Sequence, residues 1–477
     1  MLFNSIPFII FFPIVVLLYY LMPAKIRYVW LLICSYFFYL SQSTSYVLLL
    51  LLTTISTYVA GIVLNKAKTK NIKDVIIAVT VLLNVGILAF IKYADFALEL
   101  FGTDRRFNFF IPIGISFYTL QAITYLVDLY RGKIEPVYNP ARYALYVSFF
   151  PSLLSGPINR AQDLLPELSC AKSLDLVAVK EGMQKMLWGY FLKLCIAARL
   201  TIIVDTAYAN VEQYSGSSLV VAAVAFLFML YCDFEGYSCI AIGAAKILGI
   251  RMKDNFRQPF YATSVNELWS RWHISLSTWF KEYLYYPLGG SRKGTLRRYI
   301  NIMVIFVVSG LWHGANYTFF VWGILNGTFR ILGDALLGVR NKIANITGYD
   351  KHTSLRITLE RIGVYILYGF TMIFFSNDNI DNAWKIIVRI ATQFQVISIF
   401  KGEWFTLGLG TFNFMFVIVL AIFVLVVDGY CNRYTCDVVG ICKKLPMIAR
   451  WCIYFALITM ILFSANLTGQ EFIYAQM

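Results

Sequence analysis

A succession of long apolar runs constrains this chain more than any motif in it. A helix that crosses a bilayer needs roughly 20 predominantly apolar residues. Runs of that kind fall at about 6–22, 28–41, 45–64, 74–92, 109–127, 182–204, 217–233, 299–312, 316–333, 359–375, 408–427 and 449–466. Two further apolar pieces are interrupted. Pro151 and Gly156 break the one at 140–156, and Gly236, Gly243 and Gly249 punctuate the one at 236–250. Broken pieces suit re-entrant or protein-buried helices better than lipid-facing ones. Of the 477 residues, 59% are hydrophobic and 14% charged, where an average soluble domain is about 25% charged. One or two soluble cores could not bury so much apolar surface. The pattern excludes a disordered chain, a secreted disulfide scaffold and an ordinary soluble enzyme. It predicts an all-α polytopic membrane protein.

The formal charge of +15 would suggest a nucleic-acid partner in a soluble protein. In a membrane protein the positive-inside rule accounts for it, and no nucleic-acid partner is expected. Lys25 and Arg27 follow the first run, and Lys66, Lys68, Lys70 and Lys73 follow the third, while the loop 41–45 between them is uncharged. This alternation places the N-terminus outside and both Lys-bearing loops in the cytoplasm. The basic stretch 251–298 reads as cytoplasmic or embedded in the membrane from that side, and the loop 334–361 is also basic, so 299–333 is expected to cross twice. The basic loop 429–450 reads as internal, and the loop 377–382, with Asp378 and Asp381, as external. One crossing, 408–427, then separates the last two, and 383–396 is expected to lie along the interface. No Lys or Arg precedes Ile6 and no A-x-A site follows, so the first run reads as an uncleaved span. Residues 1–477 read as a single membrane domain.

Cys34, Cys195, Cys232, Cys239 and Cys452 lie in apolar stretches and read as small core residues. Cys431, Cys436 and Cys442 share a basic region with no His beside them, so no metal site is expected. Only three histidines occur. His352, in the polar segment 349–353, reads as a solvated bystander. His313 lies in SGLWHGAN, 309–316, between two apolar runs. An ionisable side chain at membrane depth is costly and marks a functional site by default. A neutral imidazole bonded to a nearby carbonyl is the other reading. His273 lies in WSRWHISLSTWF, 269–280, with three Trp among polar residues. That pattern fits either an interfacial aromatic belt or the wall of a pocket. The chain has no G-x-S-x-G, no G-x-x-x-x-G-K-[ST] and no H-E-x-x-H. What remains is a His base with buried polar donors, which suits proton abstraction from a hydroxyl followed by acyl transfer.

The same residues carry a family likeness. The segments WSRWHISLSTWFKEYLYYPLGG, 269–290, and SGLWHGANYTFFVWG, 309–323, resemble the membrane-bound O-acyltransferases, in particular their bacterial alginate O-acetyltransferase branch. IPIGISFYTLQAITYLVDLYRG, 111–132, FFPSLLSGPINRAQDLLPEL, 149–168, and the opening FNSIPFIIFFPIVVLLYY are similar to that branch as well. The motif-bearing core is about 109–333, and 334–477 is less diagnostic. The resemblance implies a bundle of about 11–13 transmembrane helices, with re-entrant or interfacial helices, around a central channel. It maps the family's signature histidine onto His313 and a second conserved polar position onto His273. It implies O-acetylation of an extracytoplasmic polysaccharide at a bacterial cytoplasmic membrane, with a separate SGNH-type esterase or transferase outside. Two positions depart from the branch: Cys239 stands where Asp is expected, and Asn326 where His is expected.

The working expectation is that acetyl-CoA, or another thioester carrier, presents its acyl group from the cytoplasm, with no permanently bound cofactor. His313 acts as general base, and His273 orients the acyl group or stabilises the oxyanion. Arg271, Trp312 and Asn316 are candidate substrate contacts by adjacency, and Arg160 is a candidate anchor for donor phosphates or a snorkelling arginine. Three rivals stay open: D-alanyl transfer from a carrier protein to teichoic acid, a transporter or lipid flippase, and a scaffold for an envelope complex.

Overall fold

A computed structural model describes residues 1–41, 44–103, 105–107, 109, 111–154, 156–348 and 353–464. His352 lies outside the described residues. Every regular element among the described residues is helical. Eight of their helices are long and apolar enough to cross a bilayer: 46–66, 70–100, 176–209, 216–247, 295–313, 354–375, 411–434 and 447–464. Other apolar segments are shorter than the sequence pattern expects. Ile6–Leu21 and Ile115–Tyr130 have 16 residues each, about 24 Å of helix against a hydrocarbon core of about 30 Å.

The chain forms two compact units. The first comprises Met1–Tyr190 and Tyr237–Asp254. Its centre is aromatic. The Phe3 ring lies 4.9 Å from Phe8 and 5.6 Å from Phe38, whose ring lies 5.6 Å from Phe150. The apolar piece at 140–156 is broken as its sequence predicts. Pro140–Ser148 is helical, Phe149 leaves the helix at ψ 109°, and Phe150–Leu153 makes one further turn.

The piece at 236–250 is a correction. The structure has no break at Gly236: Gly216–Ile247 is one helix of 32 residues. In this helix Gly243 meets Gly182 of Leu176–Tyr190, and a Cβ on either would lie 2.6 Å from the other's carbonyl oxygen. The glycine therefore serves helix–helix approach and not a break, as small residues do in membrane bundles. The Glu181–Lys246 ion pair, 2.5 Å, locks the same contact.

The second unit comprises Phe191–Gly236 and 255–464 of the described chain. Its central feature is a helical hairpin, Thr295–His313 and Tyr317–Ala335, with Thr353–Phe375 packed against the second arm. Gly310 lets the hairpin close, since a Cβ there would lie 2.3 Å from the Phe319 carbonyl oxygen. Gly323 does the same from the other arm, 2.5 Å from the Phe306 carbonyl oxygen. The stretch 383–396, expected along the interface, falls largely in the helix Ile380–Thr392, whose N-terminus Asn379 caps by accepting the Asp381 N–H at 2.7 Å. Cys431, grouped by sequence with a loop, is buried within the helix Thr411–Tyr434.

Candidate active site

His313 is the last residue of Thr295–His313 and is 4% exposed. The hairpin puts it there. Gly314 turns the chain out of the helix, and Asn316 caps the next one by accepting the Thr318 N–H at 3.1 Å. The Asn316 amide also donates to the Asp378 carbonyl, so the turn is pinned to the end of a third helix. Aromatic rings surround the imidazole: Trp312 at 5.0 Å, Phe375 at 5.1 Å, Trp322 at 5.2 Å and Phe319 at 6.3 Å between centroids. A helix C-terminus carries partial negative charge.

His273 approaches the same group of rings from the other side. Its ring lies 6.2 Å from Trp312, so one indole touches both histidines. Phe234 closes the opposite face at 4.6 Å. His273 is 2% exposed and joins two short helices, Val265–Arg271 and Ile274–Phe280, at φ 42° and ψ 55°. This left-handed conformation is uncommon for a residue with a Cβ and persists where its surroundings over-determine it. Here they do. The Arg257 N–H donates to the Arg271 carbonyl at 2.9 Å, and the Ile274 N–H donates to the Asn255 carbonyl at 2.8 Å. One strand of loop thus grips the chain on both sides of His273. Gln258, next to that grip, is left-handed as well.

Arg271 secures the arrangement. Its Nε and Nη2 donate to Glu267 Oε1 at 3.0 and 2.7 Å, and its Nη1 donates to Asn432 Oδ1 at 2.7 Å. Weaker bonds reach the Arg257 and Gln258 carbonyls. The guanidinium is thus engaged by protein on every side. Glu267 is held in turn by the Thr263 N–H at 2.8 Å and hydroxyl at 2.9 Å. Burial alone would raise its carboxyl pKa. The Thr263 bonds and Arg271 outweigh burial and hold it below the usual carboxylate value. Burial pushes the His273 imidazole down to about 3, so it is neutral at pH 7 and still carries one N–H.

Other polar groups lie close by. The indole N–H groups of Trp269 and Trp322 and the Thr318 hydroxyl are buried and have no partner among the described residues. Buried polar atoms usually have one. The Trp269 and Trp322 rings are 5.7 Å apart, and the second adjoins His313. Asn326, one turn beyond Trp322, donates to the Trp322 carbonyl at 2.9 Å. The structure thus brings His273, His313, Trp312 and the Arg271 bracket together, with Asn316 at the hairpin turn. Arg160 belongs to the other unit, where its carbonyl accepts the N–H groups of Asp163 and Leu164 at a helix start.

Sequence reasoning missed several participants. Phe234 and Asn432 reach the site only through the fold. Ser264 and Glu267 did carry a signal, because S-x-x-E before an apolar run marks a helix start. Ser264 Oγ accepts the Glu267 N–H at 3.1 Å. The buried Lys193–Asp233 ion pair joins two spanning helices, and Asp233 adjoins Phe234 in the chain. Lys193 lies in Phe191–Ala197, a wider turn inside a long helix, which is a frequent mark of functional sites.

Comparisons with known proteins identify the family. The sequence model of the membrane-bound O-acyltransferase family (MBOAT) matches residues 29–376. A probable alginate O-acetylase of Azotobacter vinelandii is 34% identical over 398 residues, 81% of this chain and 77% of that protein. A peptidoglycan O-acetyltransferase of Helicobacter pylori is 30% identical over 424 residues, 81% of this chain and 79% of that protein. A teichoic acid D-alanyltransferase of Streptococcus thermophilus is 25% identical over 296 residues, 57% of this chain and 69% of that protein.

Proposed function

Since the chain belongs to the membrane-bound O-acyltransferase family and is an O-acyltransferase, we propose that it O-acetylates a cell-surface polysaccharide, taking the acetyl group from acetyl-CoA on the cytoplasmic side of a bacterial inner membrane. The observation that carries this reading is the pair of buried histidines on either side of Trp312, one at a helix C-terminus and one clamped in a strained turn. His313 removes the proton from an acceptor hydroxyl. The oxygen attacks the thioester carbonyl, and a C–O bond forms. His273, neutral, donates its N–H to the developing oxyanion. The intermediate then expels the coenzyme as its thiolate, which takes the proton back from His313. The indole N–H groups of Trp269 and Trp322 are further donors for the acyl carbonyl or the acceptor. Arg271 acts through His273, as a positioning residue. A separate extracytoplasmic SGNH-type transferase completes delivery to the polysaccharide. Acetyl is favoured over D-alanyl because the acetylating relatives are more similar to this chain and match more of it.

The test uses the full chain reconstituted in lipid, with acetyl-CoA labelled in its acetyl group. We expect thioester loss in the wild type, slower by about 10²–10⁴-fold in His313→Ala. Equal rates would remove His313 as the base. Turnover with a D-alanyl carrier protein but none with acetyl-CoA would replace the donor.

A further inference from the structure

The first unit holds a cavity of about 210 Å³ with no role in the chemistry above. It lies where the first helix, Ile6–Leu21, hands over to Arg27–Leu40. Its walls carry three cations, Lys25, Arg27 and Arg142, and one carboxylate, Glu167. That carboxylate is already engaged. The Lys172 ammonium binds it at 2.8 Å, and the Arg251 N–H donates to it at 3.3 Å. The cations are not neutralised in the same way. Arg27 donates to the carbonyls of Met22 at 3.0 Å, Tyr20 at 3.1 Å and Lys172, all uncharged acceptors. Its guanidinium also lies over the Tyr19 ring at 5.3 Å. Arg142 lies over the Tyr28 ring at 5.2 Å, and its Nε is buried with no partner among the described residues. Lys25 is exposed.

We propose that this cavity is a binding site for a phosphate group with net negative charge. Guanidinium groups seated over aromatic rings are pre-organised for phosphate oxygens. The volume is below the roughly 300–1,000 Å³ of pockets that enclose a drug-sized ligand. It therefore suits a headgroup or one end of a larger molecule. Basic pockets between spanning helices on the cytoplasmic side take anionic lipid headgroups, and the positive-inside pattern expects Lys25 and Arg27 on that side. A phosphate of a soluble coenzyme offers the same chemistry. With a lipid phosphate the proposal stands apart from the acyl-transfer reading, because none of these residues takes part in it; with a coenzyme phosphate it rests on that reading.

Cys170 supplies the assay, since it is exposed and lies in the cavity wall. The purified full chain is treated with a water-soluble maleimide, and modification of Cys170 is followed by peptide mass spectrometry. Three probes are compared: dioctanoyl phosphatidylglycerol, dioctanoyl phosphatidylcholine and desulfo-coenzyme A, which lacks the thiol that would consume the maleimide. A bound ligand slows labelling by the factor 1 + [L]/Kd, about tenfold at ligand tenfold above Kd. We expect that protection from phosphatidylglycerol if the phosphate comes from lipid, or from desulfo-coenzyme A if it comes from solution. Phosphatidylcholine, whose choline neutralises its phosphate, should give none. Arg142→Gln and Lys25→Gln should each remove the protection. Lys25 is exposed, so its variant tests the site even if Arg142→Gln fails to fold. No protection by either anionic probe overturns the proposal. So does equal protection by phosphatidylcholine, or protection that survives Lys25→Gln.

Discussion

His273 adopts a backbone conformation that costs on the order of 1–3 kcal/mol for a residue with a side chain, and the surrounding bonds hold it there. Arg271 reaches Glu267, Asn432 and two carbonyls at once. A lysine ammonium cannot reproduce that planar fork. Arg271→Lys should therefore lower kcat by about tenfold or more and leave KM for the donor nearly unchanged. A lower yield of folded protein with kcat per folded molecule unchanged would instead mark Arg271 as merely structural. The titration of His273 gives a second expectation. In the unfolded chain an imidazole takes a proton near its ordinary value of 6.5, whereas in the folded protein burial lowers that to about 3. Acid therefore favours unfolding, because the unfolded state binds the extra proton. Stability should be whole above about pH 6.5 and decline as the pH falls toward 3. At pH 5 the loss is on the order of 2 kcal/mol. Glu267 adds to the decline only lower, within the carboxylate range, since its folded value is depressed. Thermal unfolding at pH 7.5 and 5.0 checks this. His273→Gln, which cannot take the proton, should flatten the difference.

At the scale of elements, close approach and buried charge do the positioning. The hairpin that presents His313 closes through Gly310 and Gly323, each against a facing carbonyl. Gly323→Leu must push the two arms apart. Overpacking of this kind costs about 1–3 kcal/mol or more, and the rate should fall further than stability alone explains, because His313 moves away from Trp322. Activity measured per folded molecule separates the two effects. Lys193 and Asp233 form the other device, a pair buried to 4% and 3% side-chain exposure. Breaking a buried pair costs about 3–5 kcal/mol, whereas replacing both members can be nearly neutral. Lys193→Met should therefore destabilise strongly, and adding Asp233→Asn should recover much of the loss, read as the temperature at which purified protein aggregates. These elements also mark what the sequence could tell. His313 and the Trp-rich segment around His273 stood out because histidine is so rare and polar residues in apolar runs are costly. Lys193–Asp233 did not, because 40 residues separate the partners and only the fold pairs them. Gly243 misled for a related reason. A glycine that breaks a helix and one that seats another helix look alike until the partner, Gly182, is known.

At the scale of the whole molecule, the basic loops set the direction in which an acyl group would travel. Lys66 ends one spanning helix and Lys70 begins the next, so four lysines crowd a single turn. Moving such a loop across a bilayer is strongly disfavoured, and the cytoplasm is its expected side. Cys170 shares a cavity wall with Lys25 and Arg27 and must face the same side as they do. Asp378, exposed between Thr353–Phe375 and Ile380–Thr392, belongs to a loop without basic residues and is expected outside. In intact cells a membrane-impermeant maleimide should therefore leave Cys170 unmodified until the membrane is opened, whereas a cysteine introduced by Asp378→Cys should react at once. The reverse pattern would invert the chain and put the thioester donor on the wrong side of it. If both positions reacted from outside, an even number of crossings would separate them, and the route from cytoplasmic donor to external acceptor would fail.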